Sequence, residues 1–161
     1  MAQGCKSLAV PAAGSFFRYW FPAILWMCLI FSGSGDVLSA HRTSRFIGPF
    51  LRWLKPDISD RSVARIQLMI RKGGHLSEYA VLGCLFWRAW RKPVRSDPRP
   101  WRWREAALAL ACATAYSATD EIHQTFIPSR QGQISDVLID TLGAASGLTL
   151  LWLLGRWRKK W

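Results

Sequence analysis

The chain has 161 residues, half of them apolar, with ten tryptophans and a formal net charge of +12. That length suits a single domain, but the charges stand in blocks between long apolar runs, which argues for a small integral membrane protein and against a soluble core. A basic balance of this size suits nucleic acid or anionic lipid; no helix-turn-helix, zinc-finger or RNA-binding signature accompanies it, so nucleic acid is set aside and membrane lipid is the expected partner.

Residues 1–15 read as a flexible N-terminal segment. Phe16 to Gly33 then supplies nearly enough apolar length to cross a bilayer, with Pro22 near its start, where a missing amide donor matters least. A signal peptide is the rival, because Lys6 and Arg18 lie ahead of the core and LSA at 38–40 resembles a cleavage site. Trp20 and Trp26 favour a retained anchor. Ser34 to Gly74 is expected to be a long connection with eight Lys and Arg residues. Within it Ser59 could cap a helix whose apolar positions Val63, Ile66, Met69 and Ile70 recur at helical spacing. That segment is either a helix in the headgroup plane or a solvated basic loop.

The second span is Leu76 to Trp90, extended back to about Gly73. A proline-rich basic loop, RKPVRSDPRPWRWR, follows and reads as non-helical. The third span begins near Glu105 and ends in the polar DEIHQ segment, with Pro128 as its stop. The fourth runs from about Ile134 to Gly155, and 156–161 is a basic tail. Cys5, Cys28, Cys84 and Cys112 form no CxxC pair, so neither a disulfide framework nor a zinc site is indicated. The expected fold is therefore all-α: a small polytopic membrane domain over 16–155, with four transmembrane helices and an interfacial helix in the first loop.

Four spans put the N-terminus, second loop and C-terminus on one side, with 2, 7 (Arg88 included) and 4 Lys and Arg residues against 8 and 1 for the other two connections. The short, dense second loop and tail set the inner face, N-in and C-in, and the basic first loop is the count against it. On this topology His75 and Glu78 start span two, Asp120 to Gln124 end span three, and Asp136 and Asp140 start span four. All of them fall at the outer face. Ser117, Asp120, Glu121 and Gln124 share an arc of about 100°. Asp136 and Asp140 share a face with Gly143 and Gly147, where a neighbouring backbone could approach.

Ionisable groups in membrane-grade sequence are the default place to look for function. Glu121, Asp120 and His75 are the catalytic candidates, since a carboxylate or imidazole can deprotonate water. Arg130 could clamp a phosphate or carboxylate, with Glu78, Gln124, Asp136 and Asp140 completing a substrate-binding set. His75, Glu78, Asp120, Glu121, His123 and Asp136 would suit a divalent cation, although no HExxH-type spacing is present. His123 reads better as an interfacial hydrogen-bonding residue, and Tyr79 and Tyr116 as belt or core residues. Two other readings stay open: binding of a lipid headgroup or an antibiotic without turnover, and an ion-pair network of Asp120, Glu121 and Arg130 that fixes the helical hairpin. Whether the protein is an enzyme, which cofactor or metal it uses, and its oligomeric state are not written in the sequence.

At these residues the chain resembles the VanZ-like family of bacterial membrane proteins. The matching pieces are the Ile30-Phe31-Ser32-Gly33-Ser34 end of the first span, KxxHxxEYAxLG from Lys72 to Gly83, SATDEIHQTFIPSRQGQISDVLID from Ser117 to Asp140, and the Gly143/Gly147 pair. The family pattern often has Asn where this chain has Asp140. The resemblance implies a multi-pass protein of the bacterial inner membrane. It also implies a function in the cell envelope, on or with an envelope lipid, a lipid-linked substrate or a glycopeptide ligand, and a contribution to glycopeptide (teicoplanin) tolerance.

Overall fold

The computed structural model describes residues 13–34, 40–93, 97, 99–127 and 132–159. Among them the chain forms five α-helices and no strand: α1 (Ala13–Ser34), α2 (Ala40–Leu54), α3 (Asp60–Arg91), α4 (Trp103–Gln124) and α5 (Ile134–Trp157). The all-α expectation holds.

Two differences concern the connection between residues 34 and 74. Helix α2 occupies a stretch whose Gly48 and Pro49 read as loop signals. Gly48 is buried, and a Cβ there would sit in ordinary contact with Val63 and Gln67 of α3. Tertiary docking therefore carries the helix across its proline. The second difference is that the segment starting at Ser59 and the second span form one helix of 32 residues. Ser59 caps it as expected, its hydroxyl accepting the Ser62 amide at 3.2 Å. Gly73 and Gly74 do not break it. Neither has positive φ, and a Cβ at either would meet nothing within 4 Å. They are ordinary helical positions, each costing about 1 kcal/mol of propensity relative to Ala.

Helix α3 is the axis of the molecule, and each of the other four helices packs on it. The interior is built from small residues with a few aromatics: Ala106, Ala109, Ala113 and Ser117 of α4, Ala144 of α5, and Tyr79, Leu82, Phe86 and Trp87 of α3 are all buried. Large apolar side chains point the other way. Phe17, Phe21, Leu25 and Leu29 of α1 and Leu138, Leu142, Leu150 and Leu153 of α5 are exposed. Small residues inside let helix backbones come close.

The closest approach is between α3 and α5. A Cβ on Gly143 would collide with the Leu76 carbonyl, and one on Gly147 with the Ala80 carbonyl. A Cβ on Gly83 would lie 3.1 Å from the Ala144 carbonyl oxygen. The face that carries Asp136 and Asp140 is thus also the packing seam. Helices α1 and α5 are long and apolar enough to cross a membrane by length and composition, over Phe16–Gly33 and Ile134–Trp157. Only 11% and 22% of those windows is buried within the fold, far below what the core helix of a soluble domain would show.

The described residues of the proline-rich loop between α3 and α4, non-helical as expected, close on a buried arginine. Arg91, at 1% exposure, donates to Asp97 at 3.1 Å, to Glu105 at 3.2 Å and to the carbonyls of Pro100 and Arg99. Arg99 in turn grips Asp97 with two bonds of 2.7 Å. This grip holds the Asp97 carboxyl well below the usual carboxylate range, Arg99 being the largest cause, and raises the Arg99 guanidinium. Trp87 and Trp101 stack at 5.1 Å beside this lock.

Candidate functional site

The first part of α5, the end of α4 and the middle of α3 meet at one end of the bundle, opposite the Arg91 lock. Asp140 is fully buried there. Its Oδ2 accepts the Ser117 hydroxyl of α4 at 2.6 Å, and its Oδ1 lies 3.5 Å from His75 Nδ1 of α3. Three helices are joined through one carboxylate. The imidazole keeps 13% of its side-chain surface open, so His75 sits at the rim and Asp140 beneath it.

One turn nearer the end of α5, Asp136 accepts Lys72 Nζ at 3.0 Å and has Arg71 at 4.0 Å. Lys72 stands three residues before His75, hence on a neighbouring part of the same helix face. Asp120 and Glu121 are buried and occupied within their own hairpin. Gln124 donates to Asp120 at 3.0 Å and to Glu121 at 3.4 Å. Glu121 Oε2 accepts the backbone N–H of Gln133, the N-cap of α5, at 2.8 Å. A Cβ on Gly132 would strike the Glu121 backbone carbonyl, so Gly132 lies tight against the backbone of the last turn of α4.

His75 Nδ1 and Asp140 Oδ1 are both buried and face each other at 3.5 Å, longer than an ordinary hydrogen bond. Tyr79 has no exposed surface and lies beside Ser117, Asp120 and Asp140.

The sequence-derived candidates sort as follows. His75, Asp140 and Asp136 come together with Ser117 and Lys72. Asp120, Glu121 and Gln124 form the adjoining hairpin group. Glu78 is half-buried, and its backbone carbonyl accepts Trp26 Nε1 at 2.9 Å, tying α1 to the site's helix. His123 stacks on Phe31 with centroids 4.3 Å apart, at the edge of the cluster. Arg130 and Pro128 lie outside the described residues. Among the described residues no three His, Cys, Asp or Glu side chains are grouped to hold a metal ion. The divalent-cation expectation therefore finds no ready ligand set. Lys72 and Arg71 are the cations found at the site; from the sequence Lys72 reads as the first residue of the KxxHxxEYAxLG stretch and Arg71 as loop charge, and neither has a site role there.

An all-helical bundle with apolar flanks, small residues inside and a hydrogen-bonded acidic and imidazole cluster at one end defines the class: a helical protein whose polar site is built between helices. A family model described as VanZ/LLP1 matches residues 19–155, and the chain belongs to that family. No curated protein and no solved structure matches it.

Proposed function

We propose that this protein crosses the bacterial inner membrane with α1, the second half of α3, α4 and α5, and that its polar end faces outward and takes an envelope lipid or lipid-linked substrate. The inside-out distribution of side-chain size supports the membrane assignment, because exposed Phe and Leu in such numbers would aggregate in water. A retained rather than cleaved α1 is supported by its ties to the bundle: Tyr19 to the Pro93 carbonyl, Trp26 to the Glu78 carbonyl and the Met27 carbonyl to Tyr116. The outward direction rests on the basic second loop and tail. Three of the eight basic residues that weighed against it, Arg52, Arg71 and Lys72, are paired to Asp60 and Asp136.

The observation that carries the site is the meeting of Asp140, Ser117 and His75 from three helices, with the imidazole at the rim. His75, oriented by Asp140 beneath it, is the group that exchanges a proton with substrate. Lys72 and Arg71 beside it draw an anionic headgroup toward the opening. The second reading, a purely structural ion network, is favoured for Asp120 and Glu121 specifically, since Gln124 and the Gln133 amide occupy them.

Turnover and binding of phospholipids and polyprenyl-phosphate lipids by the purified full-length protein test this. His75→Gln is expected to lose activity by about 100-fold or more with the melting temperature preserved. Saturable binding without turnover, weakened by Lys72→Ala, would make the protein a receptor. If no lipid binds, or if His75→Gln acts only by unfolding the protein, the functional reading is wrong and the network is structural. A contribution to glycopeptide tolerance predicts that deletion lowers the teicoplanin concentration that stops growth, and that His75→Gln fails to restore it.

A further inference from the structure

The seam between α3 and α5 is tight only in part. Beyond Gly147 and Ala80 the two helices leave an open groove of about 470 Å³, within the range of ligand sites. Val81, Cys84 and Leu85 of α3 face Leu150, Leu151 and Leu154 of α5 across it. Its walls are apolar apart from Arg88, which lines it on the side toward Pro93.

Arg88 is under-used. Its NH2 donates to the Arg18 carbonyl at 3.2 Å, and the guanidinium carbon lies 5.4 Å from the Tyr19 ring centroid. Its NH1 is buried without a hydrogen-bond partner among the described residues. The acids of the adjoining loop do not serve it, because Asp97 is held by Arg91 and Arg99, and Glu105 by Arg91. Lys92 stands exposed nearby. The guanidinium places a positive charge at one end of an apolar groove, which suits an anion that carries a hydrocarbon chain.

We infer that this groove binds one acyl chain of an anionic phospholipid from the inner leaflet, with the phosphate on Arg88. The inference rests on the membrane reading above but not on the polar site, which lies at the other end of the bundle. Charge complementarity selects the occupant: a neutral lipid would fill the groove and leave the guanidinium unmet.

The full-length protein is purified in mild detergent and titrated with phosphatidylglycerol or phosphatidylcholine of identical chains, with retained lipid counted by native mass spectrometry. Phosphatidylglycerol is expected to be retained over phosphatidylcholine by roughly fivefold, the attraction of one basic residue for anionic lipid. Arg88→Gln should erase that preference. Val81→Trp, which fills the groove, should lower retention of both lipids. Independently of any variant, phosphatidylglycerol should slow maleimide labelling of Cys84, read on its own peptide. Equal retention of the two lipids, or Cys84 labelling unchanged by lipid, overturns the proposal. Extraction of the protein from cell membranes by alkaline carbonate would sink the membrane reading itself, whereas a carbonate-resistant protein without lipid preference sinks the groove alone.

Discussion

The glycine seam makes opposite predictions for two pairs of glycines in the same molecule. At Gly143 an added methyl group meets the backbone of Leu76, and a carbonyl in a helix cannot move as a flexible side chain can. Overpacking of this kind costs typically about 1–3 kcal/mol. Against it stands the propensity gain of Gly→Ala, about 1 kcal/mol. For Gly143→Ala the collision wins, and the net loss is on the order of 1–2 kcal/mol. At Gly73 and Gly74 nothing lies within 4 Å of an added Cβ, so the propensity gain stands alone and Ala should stabilise by about 0.4–1 kcal/mol. Thermal unfolding in one detergent, followed by circular dichroism, gives all four melting temperatures on one scale. Gly143→Ala and Gly147→Ala should fall below the parent and Gly73→Ala and Gly74→Ala rise above it. The seam also holds Leu76, next to His75, against Gly143, one turn from Asp140. Gly143→Ala should therefore disturb His75 as well, seen as a change in its imidazole titration by NMR. A Gly143→Ala protein that melts at or above the parent temperature would refute the seam.

Other expectations follow from the same geometry. Asp140→Asn keeps an acceptor for Ser117 and removes the charge beside His75, so it should preserve the melting temperature yet lower lipid turnover. Arg91→Met strips a buried guanidinium from Asp97 and Glu105 and should cost about 3 kcal/mol in chemical denaturation, whereas Arg102→Met, on an exposed side chain, should cost well under 1 kcal/mol. The Asp97 carboxyl is depressed in the fold, so its contribution is present above the unfolded value near 3.9 and is lost as pH falls through the lower folded value. The near-ultraviolet dichroism of the Trp87–Trp101 stack should therefore hold from neutrality to about pH 4 and decline only in more acid solution; a decline complete above pH 5 would contradict the Asp97–Arg99 grip. A nitroxide on Trp53→Cys, at the exposed apolar edge of α2, should show oxygen accessibility typical of the headgroup boundary, and free aqueous accessibility there would remove α2 from the membrane surface.

The elements that sequence reasoning located well are those whose signal is local. Ser59 as a cap, the ends of α4 and α5, and the face shared by Asp136, Asp140, Gly143 and Gly147 all follow from side-chain chemistry and helical angles. The failures are tertiary. Gly48 and Pro49 argue against a helix until α3 is present for Gly48 to rest on. Gly73 and Gly74 stand where the connection was expected to end and the second span to begin, but a glycine pair breaks a helix only where something demands a turn, and α3 runs through them. The Arg91 lock was invisible because three of its ligands, Asp97, Arg99 and Pro100, sit in a stretch whose prolines and basic residues read only as a non-helical loop, and the fourth, Glu105, read as the start of the third span. In the site, sequence reasoning placed Glu121 and Asp120 first among the carboxylates, whereas the acid that faces His75 is Asp140. Which acid faces His75 depends on the rotation of α5 against α3, and contact at Gly143 and Gly147 sets that rotation.

That ranking bears on how the cluster should be understood. Glu121 does something an apolar residue cannot, because the Gln133 amide at the start of α5 needs an acceptor. Its presence is accounted for by the hairpin alone. Asp140 is different. A buried charge pair can often be replaced by packed apolar residues at no cost in stability, or with a gain. The Asp140–His75 pair is also looser than an optimised one, at 3.5 Å. A fold selected only for stability would close this contact or replace it. If Asp140→Leu with His75→Leu melts higher than the parent while lipid binding or turnover is lost, the pair is maintained at the expense of stability for what it does to a ligand. If the double variant instead collapses, the pair is structural, and the case for a site at this end of the bundle goes with it.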